Sequence, residues 1–183
     1  MVKVFTSAVV IIPPQEIWNP IQKIRKKYDR QINRWMPHIT LLYPFRPASE
    51  FDDLENKFSR VCSNINNFKI KLETFRYFSQ KKSNFTIWIA PEPRNLIIEL
   101  QSKLLEIVPD CNDVNLHKKG FIPHLSVGQF NGNKKVLFDL IDYLQQEWNQ
   151  IAFNLNSIEF ISRENHKSSR FQIQKQILFN HYK

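Results

Sequence analysis

The sequence predicts an α+β fold of two similar lobes, and three observations carry that prediction. The chain has 183 residues, a length typical of one compact unit with a substantial core. Its periodicity switches repeatedly between strand-like alternation and helix-like spacing, with a helix between successive groups of strands. A five-residue motif occurs twice, with its histidines at 38 and 124. We expect residues 1–183 to form a single bilobal domain with one motif per lobe, since no low-complexity linker or abrupt change of composition divides the chain.

The elements follow in order. Val4–Ile12 is rich in β-branched residues and reads as a buried first strand. A signal peptide is the weaker reading, because Pro13 and Pro14 follow with no small-residue cleavage site, and the stretch is too short to cross a bilayer. From Pro14 to Arg34 a helix is expected, with a possible break at Pro20. Ile17, Ile21, Ile24 and Tyr28 share one face, and Lys23, Lys26, Lys27, Arg30 and Arg34 the other. Pro37–Phe45 reads as a second strand. Ser49 opens a helix with Asp52 as its capping partner, and Phe51, Leu54, Phe58, Val61 and Ile65 form its apolar stripe.

Phe68–Phe78 and Phe85–Ala90 read as paired strands around a polar turn. A helix from about Asn95 turns Ile97, Leu100, Leu104 and Ile107 inward. After the irregular segment Pro109–Gly120 come a strand at His124–Phe130 and a helix at Lys134–Trp148. The last strands are expected at Ile151–Ile161 and Phe171–Phe179, joined by a polar hairpin. Within it, Arg163, His166, Lys167 and Arg170 either guide an RNA backbone or form a solvated turn. Lys175 either snorkels or lines a groove.

Composition narrows the function. Only three glycines occur, so neither a Walker-type phosphate loop nor a dinucleotide fingerprint can be built. Lys and Arg number 26 against 17 Asp and Glu, a surplus that suits polyanionic or phosphorylated partners. Cys62 and Cys111 show neither zinc spacing nor a disulfide framework, which fits a reducing, cytoplasmic location. No close set of metal ligands is legible, and no cofactor or membrane partner is expected. His117 and His181 belong to no pattern and read as surface or loop residues.

The repeat is the chemically informative feature. Pro37-His38-Ile39-Thr40-Leu41 recurs as Pro123-His124-Leu125-Ser126-Val127: proline, histidine, aliphatic, hydroxyl, aliphatic. In a strand, residues i and i+2 share a face, so His38 projects with Thr40 and His124 with Ser126. Two such strands side by side would gather two imidazoles and two hydroxyls. That set suits a phosphodiester. One neutral imidazole takes a proton from the attacking oxygen and one imidazolium protonates the leaving oxygen. The hydroxyls hydrogen-bond the non-bridging oxygens as charge gathers on them. A third histidine–hydroxyl match, His166 with Ser168, falls in the polar hairpin and is read as chance. Strict alternation puts Gly128 on the His124 face, clearing room for a ligand, and Phe130 beside it as a stacking platform. It puts Tyr43 on the face opposite His38 unless the strand bends after Leu42. Tyr43 and Phe130 are the candidate substrate-binding residues, with core packing as the competing role.

These two motifs resemble those of the 2H phosphoesterase superfamily, which includes 2′-5′ RNA ligase-like proteins and cyclic nucleotide phosphodiesterases. Met36 through Phe45 is an especially close match to the family's first motif. The resemblance covers essentially the whole chain and implies a bilobal fold with pseudo-two-fold symmetry around a central groove. It implies metal-independent chemistry on 2′,3′-cyclic phosphates, 1″,2″-cyclic phosphates or 2′-5′ linkages. His38 and His124 would be the acid–base pair, and Thr40 and Ser126 the donors to phosphate. The implied partner is a nucleotide or RNA, met by a monomer. Many members carry Arg or Lys five residues after the second histidine, where this chain has Gln129. Either a charge-assisted phosphate contact is missing here, or Lys118, Lys119 or Arg46 replaces it. Nucleotide or RNA-end binding without turnover, and 2′-5′ ligation, are the alternatives to hydrolysis.

Overall fold

In this computed structural model, residues 2–80, 83–116 and 120–180 are described. The expectations for His117, Lys118, Lys119 and His181 lie outside them. Among the described residues, eight antiparallel strands form one curled sheet in the order β6-β3-β4-β5-β2-β1-β7-β8. They are β1 (Ser7–Ile11), β2 (Ile39–Leu42), β3 (Phe68–Ser79), β4 (Asn84–Glu92), β5 (Leu125–Asn131), β6 (Ile151–Leu155), β7 (Ser157–Ser162) and β8 (Gln172–Leu178). The sheet divides into two groups of four, β6-β3-β4-β5 and β2-β1-β7-β8. Among the described residues, the strands of the two groups join only where β2 meets β5, at the single backbone pair Ile39–Leu125.

The helices are α1 (Trp18–Tyr28), α2 (Phe51–Cys62), α3 (Arg94–Leu105) and α4 (Lys134–Glu147). Helix α1 packs on β5, α4 on β3 and α2 on β8, while α3 touches both β2 and β4. Their apolar stripes enter one core: Ile21 from α1, Phe58 from α2, Leu100 from α3 and Leu137 from α4 are all buried. A smaller cluster of Ala8, Val10, Ile161 and Phe171 gathers Trp35, Met36 and Tyr43 around it.

Several expectations change. Helix α1 ends at Tyr28 rather than Arg34, because Asp29 is extended, with φ −103° and ψ 107°. Pro20 sits in its first turn, where a missing N–H costs nothing. The capping box at Ser49 does not form; a 3₁₀ turn precedes α2, and Asp52 instead meets Lys175 at 2.7 Å. Lys175 also meets Glu55, at 2.6 Å, so it staples β8 to α2. The strand expected at Ile151–Ile161 is two strands, split at Asn156 and belonging to different halves of the sheet. The Asn156 carbonyl accepts the Phe179 amide at 2.8 Å, which fastens the crossover to the end of β8.

Two β-bulges shape the site. In β2, Val10 pairs with Thr40 and Val9 with Leu42, leaving Leu41 as the extra residue. In β5, Trp88 pairs with Ser126 and Ile87 with Gly128, leaving Val127 extra. The bulged residue is in each case the one after the hydroxyl of the repeated motif, and each is fully buried. An extra residue reverses which face the following side chains occupy.

Candidate active site

Each motif begins with a residue–proline–histidine step that turns a carbonyl back onto the ring. His38 Nδ1 lies 2.7 Å from the Met36 carbonyl, and His124 Nδ1 lies 2.8 Å from the Ile122 carbonyl. A carbonyl only accepts, so in both rings Nδ1 carries the hydrogen and Nε2 is the nitrogen that exchanges protons with a ligand. The Ile39–Leu125 pair fixes what lies across the joint. Extending that antiparallel register by one residue each way sets His38 opposite Ser126 and Thr40 opposite His124. All four side chains line one cavity of about 740 Å³.

The aromatic seats of the two imidazoles differ. Trp35 stacks on His38 with ring centroids 4.6 Å apart and planes 15° apart, and it also stacks on Phe171 at 3.8 Å. Phe78 meets His124 edge-on at 4.9 Å, and Trp88 lies 5.9 Å from it. On one wall Arg25 of α1 and Asp29 just past its end form a buried ion pair at 2.7 Å, with side chains only 2% and 3% exposed. Burial is the main cause that lowers the His38 pKa from 6.5 to about 4, opposed by the bond to Met36; Arg25 and His124 lower it further, and Asp29 raises it. His38 is therefore a neutral imidazole at neutral pH.

The bulges correct the reading of the flanking residues. After Val127, Gln129 faces the cavity and Phe130 packs back toward the core, 6.3 Å from Phe85. Gly128 faces α1 instead of a ligand: a Cβ there would lie 2.5 Å from the Tyr28 Cβ. The bulge at Leu41 returns Tyr43 to the His38 side one residue earlier than the expected bend. There it packs edge-on against Trp35 at 5.4 Å and Phe5 at 5.8 Å, outside the cavity lining. Neither Tyr43 nor Phe130 lines the cavity. Arg46 cannot stand in for the charge absent at Gln129, because it is fully buried and held by Asp110.

Sequence reasoning missed Trp35, Phe78, Arg25 and Asp29. The last two carried a signal: opposite charges four apart in a predicted helix, on the border of its apolar stripe. Trp35 stood three residues before His38. Among the described residues, no group of three or more His, Cys, Asp or Glu could hold a metal ion, and no helix is long and apolar enough to cross a membrane. Cys62 and Cys111 are free and buried.

Two sheet halves meeting at a pair of histidine–hydroxyl motifs define a 2H phosphoesterase fold. Residues 13–167 match the model of the 2′-5′ RNA ligase superfamily, and the chain belongs to that superfamily. A Geobacillus kaustophilus protein named "Putative phosphoesterase" is 29% identical over 126 residues, covering 66% of this chain and 67% of its own. A similarly named protein of Oceanobacillus iheyensis is 26% identical over 152 residues, covering 80% and 81%. Among solved structures, TT0787 of Thermus thermophilus superposes with a TM-score of 0.67 at 14% identity, covering 97% of this chain and all of its own. LigT of E. coli, complexed with 3′-AMP, does so with 0.60 at 13%, covering 96% and 98%.

Proposed function

We propose that this chain is a metal-independent phosphodiesterase acting on 2′,3′-cyclic phosphates, RNA ends or 2′-5′-linked oligonucleotides. One observation carries the proposal: both histidine–hydroxyl pairs line one cavity, next to the backbone pair that joins the strands of the two halves of the sheet. Each lobe contributes one pair, so residues 1–183 act as one catalytic unit.

His38 takes the base role, because its pKa near 4 leaves Nε2 unprotonated at neutral pH. It removes the proton of a water or ribose hydroxyl as that oxygen bonds to phosphorus. His124 takes the acid role and gives its Nε2 proton to the leaving oxygen as the other P–O bond breaks. Thr40 and Ser126 donate hydrogen bonds to the non-bridging oxygens, which gain charge in the transition state. Phe78 offers an apolar surface beside the reacting centre for a base or ribose, whereas Trp35, stacked on both His38 and Phe171, serves to seat His38. The complexes of E. coli LigT with 3′-AMP and with ATP support a nucleotide as the partner of this chain. The reverse reaction, joining RNA ends through a 2′-5′ bond, would use the same groups.

The test is turnover of 2′,3′-cyclic nucleotides and 2′-5′ oligoadenylate in excess EDTA. Wild type should hydrolyse at least one of them. His38→Ala and His124→Ala should each abolish turnover while staying folded by circular dichroism. Thr40→Ala and Ser126→Ala should each lose roughly a hundredfold in kcat. Full activity in both histidine variants refutes the assigned chemistry.

A further inference from the structure

The strands of the two halves join at one backbone pair beside the groove. That is a thin connection for placing two imidazoles about one phosphorus, where an error of about 1 Å costs on the order of a hundredfold in rate. Away from the groove the halves also meet at the Asn66–Asn180 bridge and through α3; at the groove itself a connection through side chains adds to the backbone pair. On β5, Gln129 donates from Nε2 to Asp29 Oδ1 at 3.1 Å and accepts the Arg30 amide at 2.9 Å. Asp29 Oδ1 also accepts the Gln31 amide at 2.8 Å. Asp29 Oδ2 accepts from Arg25 Nε at 2.7 Å. Arg25 then donates from Nη1 to Gln22 at 3.1 Å and from Nη2 to the Trp35 carbonyl at 2.9 Å. Trp35 is the ring stacked on His38.

We propose that Arg25, Asp29 and Gln129 are positioning residues, forming a polar bridge, buried at Arg25 and Asp29 and half-exposed at Gln129, that holds the two halves of the groove together and seats Trp35 against His38. The bridge explains why an amide serves at position 129. An amide both donates to the carboxylate and accepts from a backbone N–H, which neither Lys nor Arg can do. It also explains the guanidinium at 25, because its planar fork reaches three acceptors that a lysine ammonium would not span. A buried ion pair is a weak source of stability but a strong constraint on geometry when its hydrogen bonds are filled, as they are here.

The proposal refines the hydrolase reading, but its test does not depend on turnover. The described charged or titratable groups facing His38 are Arg25 and Asp29 from α1 and its end, and His124 from the β5 side. Deleting one member of the pair exposes the charge of the other. NMR titration of the His38 ring in the unliganded protein should show its midpoint above the wild-type value of about 4 in Arg25→Gln and below it in Asp29→Asn. Arg25→Lys should keep the midpoint near wild type, yet shift the His38 ring resonances as Trp35 loosens. Gln129→Leu, at the half-exposed end of the bridge, should shift the same resonances and lower kcat roughly tenfold with little change in KM. Midpoints that stay at wild type in both charge variants, or move in the same direction, overturn the proposal. So do unchanged ring resonances in Gln129→Leu. A wild-type protein that hydrolyses nothing, but whose charge variants shift oppositely, sinks the hydrolase reading and leaves the bridge standing.

Discussion

Replacing Gly128 by alanine adds one methyl group at the point where α1 touches β5. The new Cβ would lie 2.5 Å from the Tyr28 Cβ, 3.1 Å from the Tyr28 carbonyl oxygen and 3.2 Å from its carbonyl carbon. Carbon atoms in contact prefer roughly 3.5–4.0 Å, so the two chains must part by about 1 Å. No rotamer change relieves this, because the Cβ is fixed to the backbone and the other two atoms belong to it. Helix α1 must lift from β5, and overpacking of this kind costs roughly 1–3 kcal/mol. In a protein of this size about 2 kcal/mol lowers Tm by roughly 4–8 °C. Urea unfolding should show a lower midpoint at an unchanged slope, since the same surface is exposed on unfolding. Because α1 carries Arg25 and leads into Asp29, kcat should fall as well. A Tm within roughly 1 °C of wild type refutes the packing argument. If that stable variant also bound nucleotide more weakly, Gly128 would be clearing space for a ligand, as strict strand alternation predicted.

Three further predictions concern the imidazoles and their neighbours. With His38 as base and its pKa near 4, kcat/KM should hold from neutrality down to about pH 5 and fall only as pH drops through about 4; an acidic limb near 6.5 would show that burial does not set this group. The same shift couples to folding. The folded pKa lies below the unfolded one, so the stabilisation is complete above 6.5, is lost progressively as pH falls toward about 4, and is absent below that. Wild type should therefore lose more Tm between about pH 7 and about pH 5 than His38→Gln does, and equal losses would contradict this. Finally, Trp35→Leu should lower kcat by roughly tenfold or more by unseating His38, whereas Tyr43→Phe and Phe130→Leu should leave KM for a nucleotide within about twofold. A large KM effect at Tyr43 or Phe130 would place a ligand beyond the cavity described.

The motifs were legible because their information is local. Proline before histidine and a hydroxyl two residues later are visible in any five-residue window, and the duplication implied a lobe for each. The helices were legible from their apolar stripes, as with Leu137 and Leu144 on α4. Two kinds of feature were not. At Asn156 the chain passes from β6 directly into β7, whose residues Ser157–Ile161 are all buried, with no proline or glycine between the two, so the sequence shows no turn signal where one strand ends and another in the other half begins. At Leu41 and Val127 the bulges depend on which strand lies alongside: β1 in one case, β4 in the other. A rule of alternation within one strand cannot contain that partner, so it assigned Gly128, Phe130 and Tyr43 to the wrong faces.

The bulges also show how one repeated motif yields two different roles. In both lobes the extra residue follows the hydroxyl, and the third residue after that hydroxyl turns toward the groove side: Tyr43 in one lobe, Gln129 in the other. The local backbone is thus the same, and so is the Nδ1 bond to the carbonyl two residues back. What differs is the side chain delivered. Tyr43 packs against Trp35, which lies flat on His38. Gln129 reaches across to Asp29 instead, while the aromatic neighbours of His124 meet its ring edge-on or tilted. Near-symmetry places the two imidazoles alike, and the broken symmetry at the bulge-delivered residue gives them unlike surroundings. Two groups of the same type can then divide acid and base work between them, provided that their environments hold opposite protonation states at one pH. The depressed pKa of His38 is the half of that condition seen in this groove.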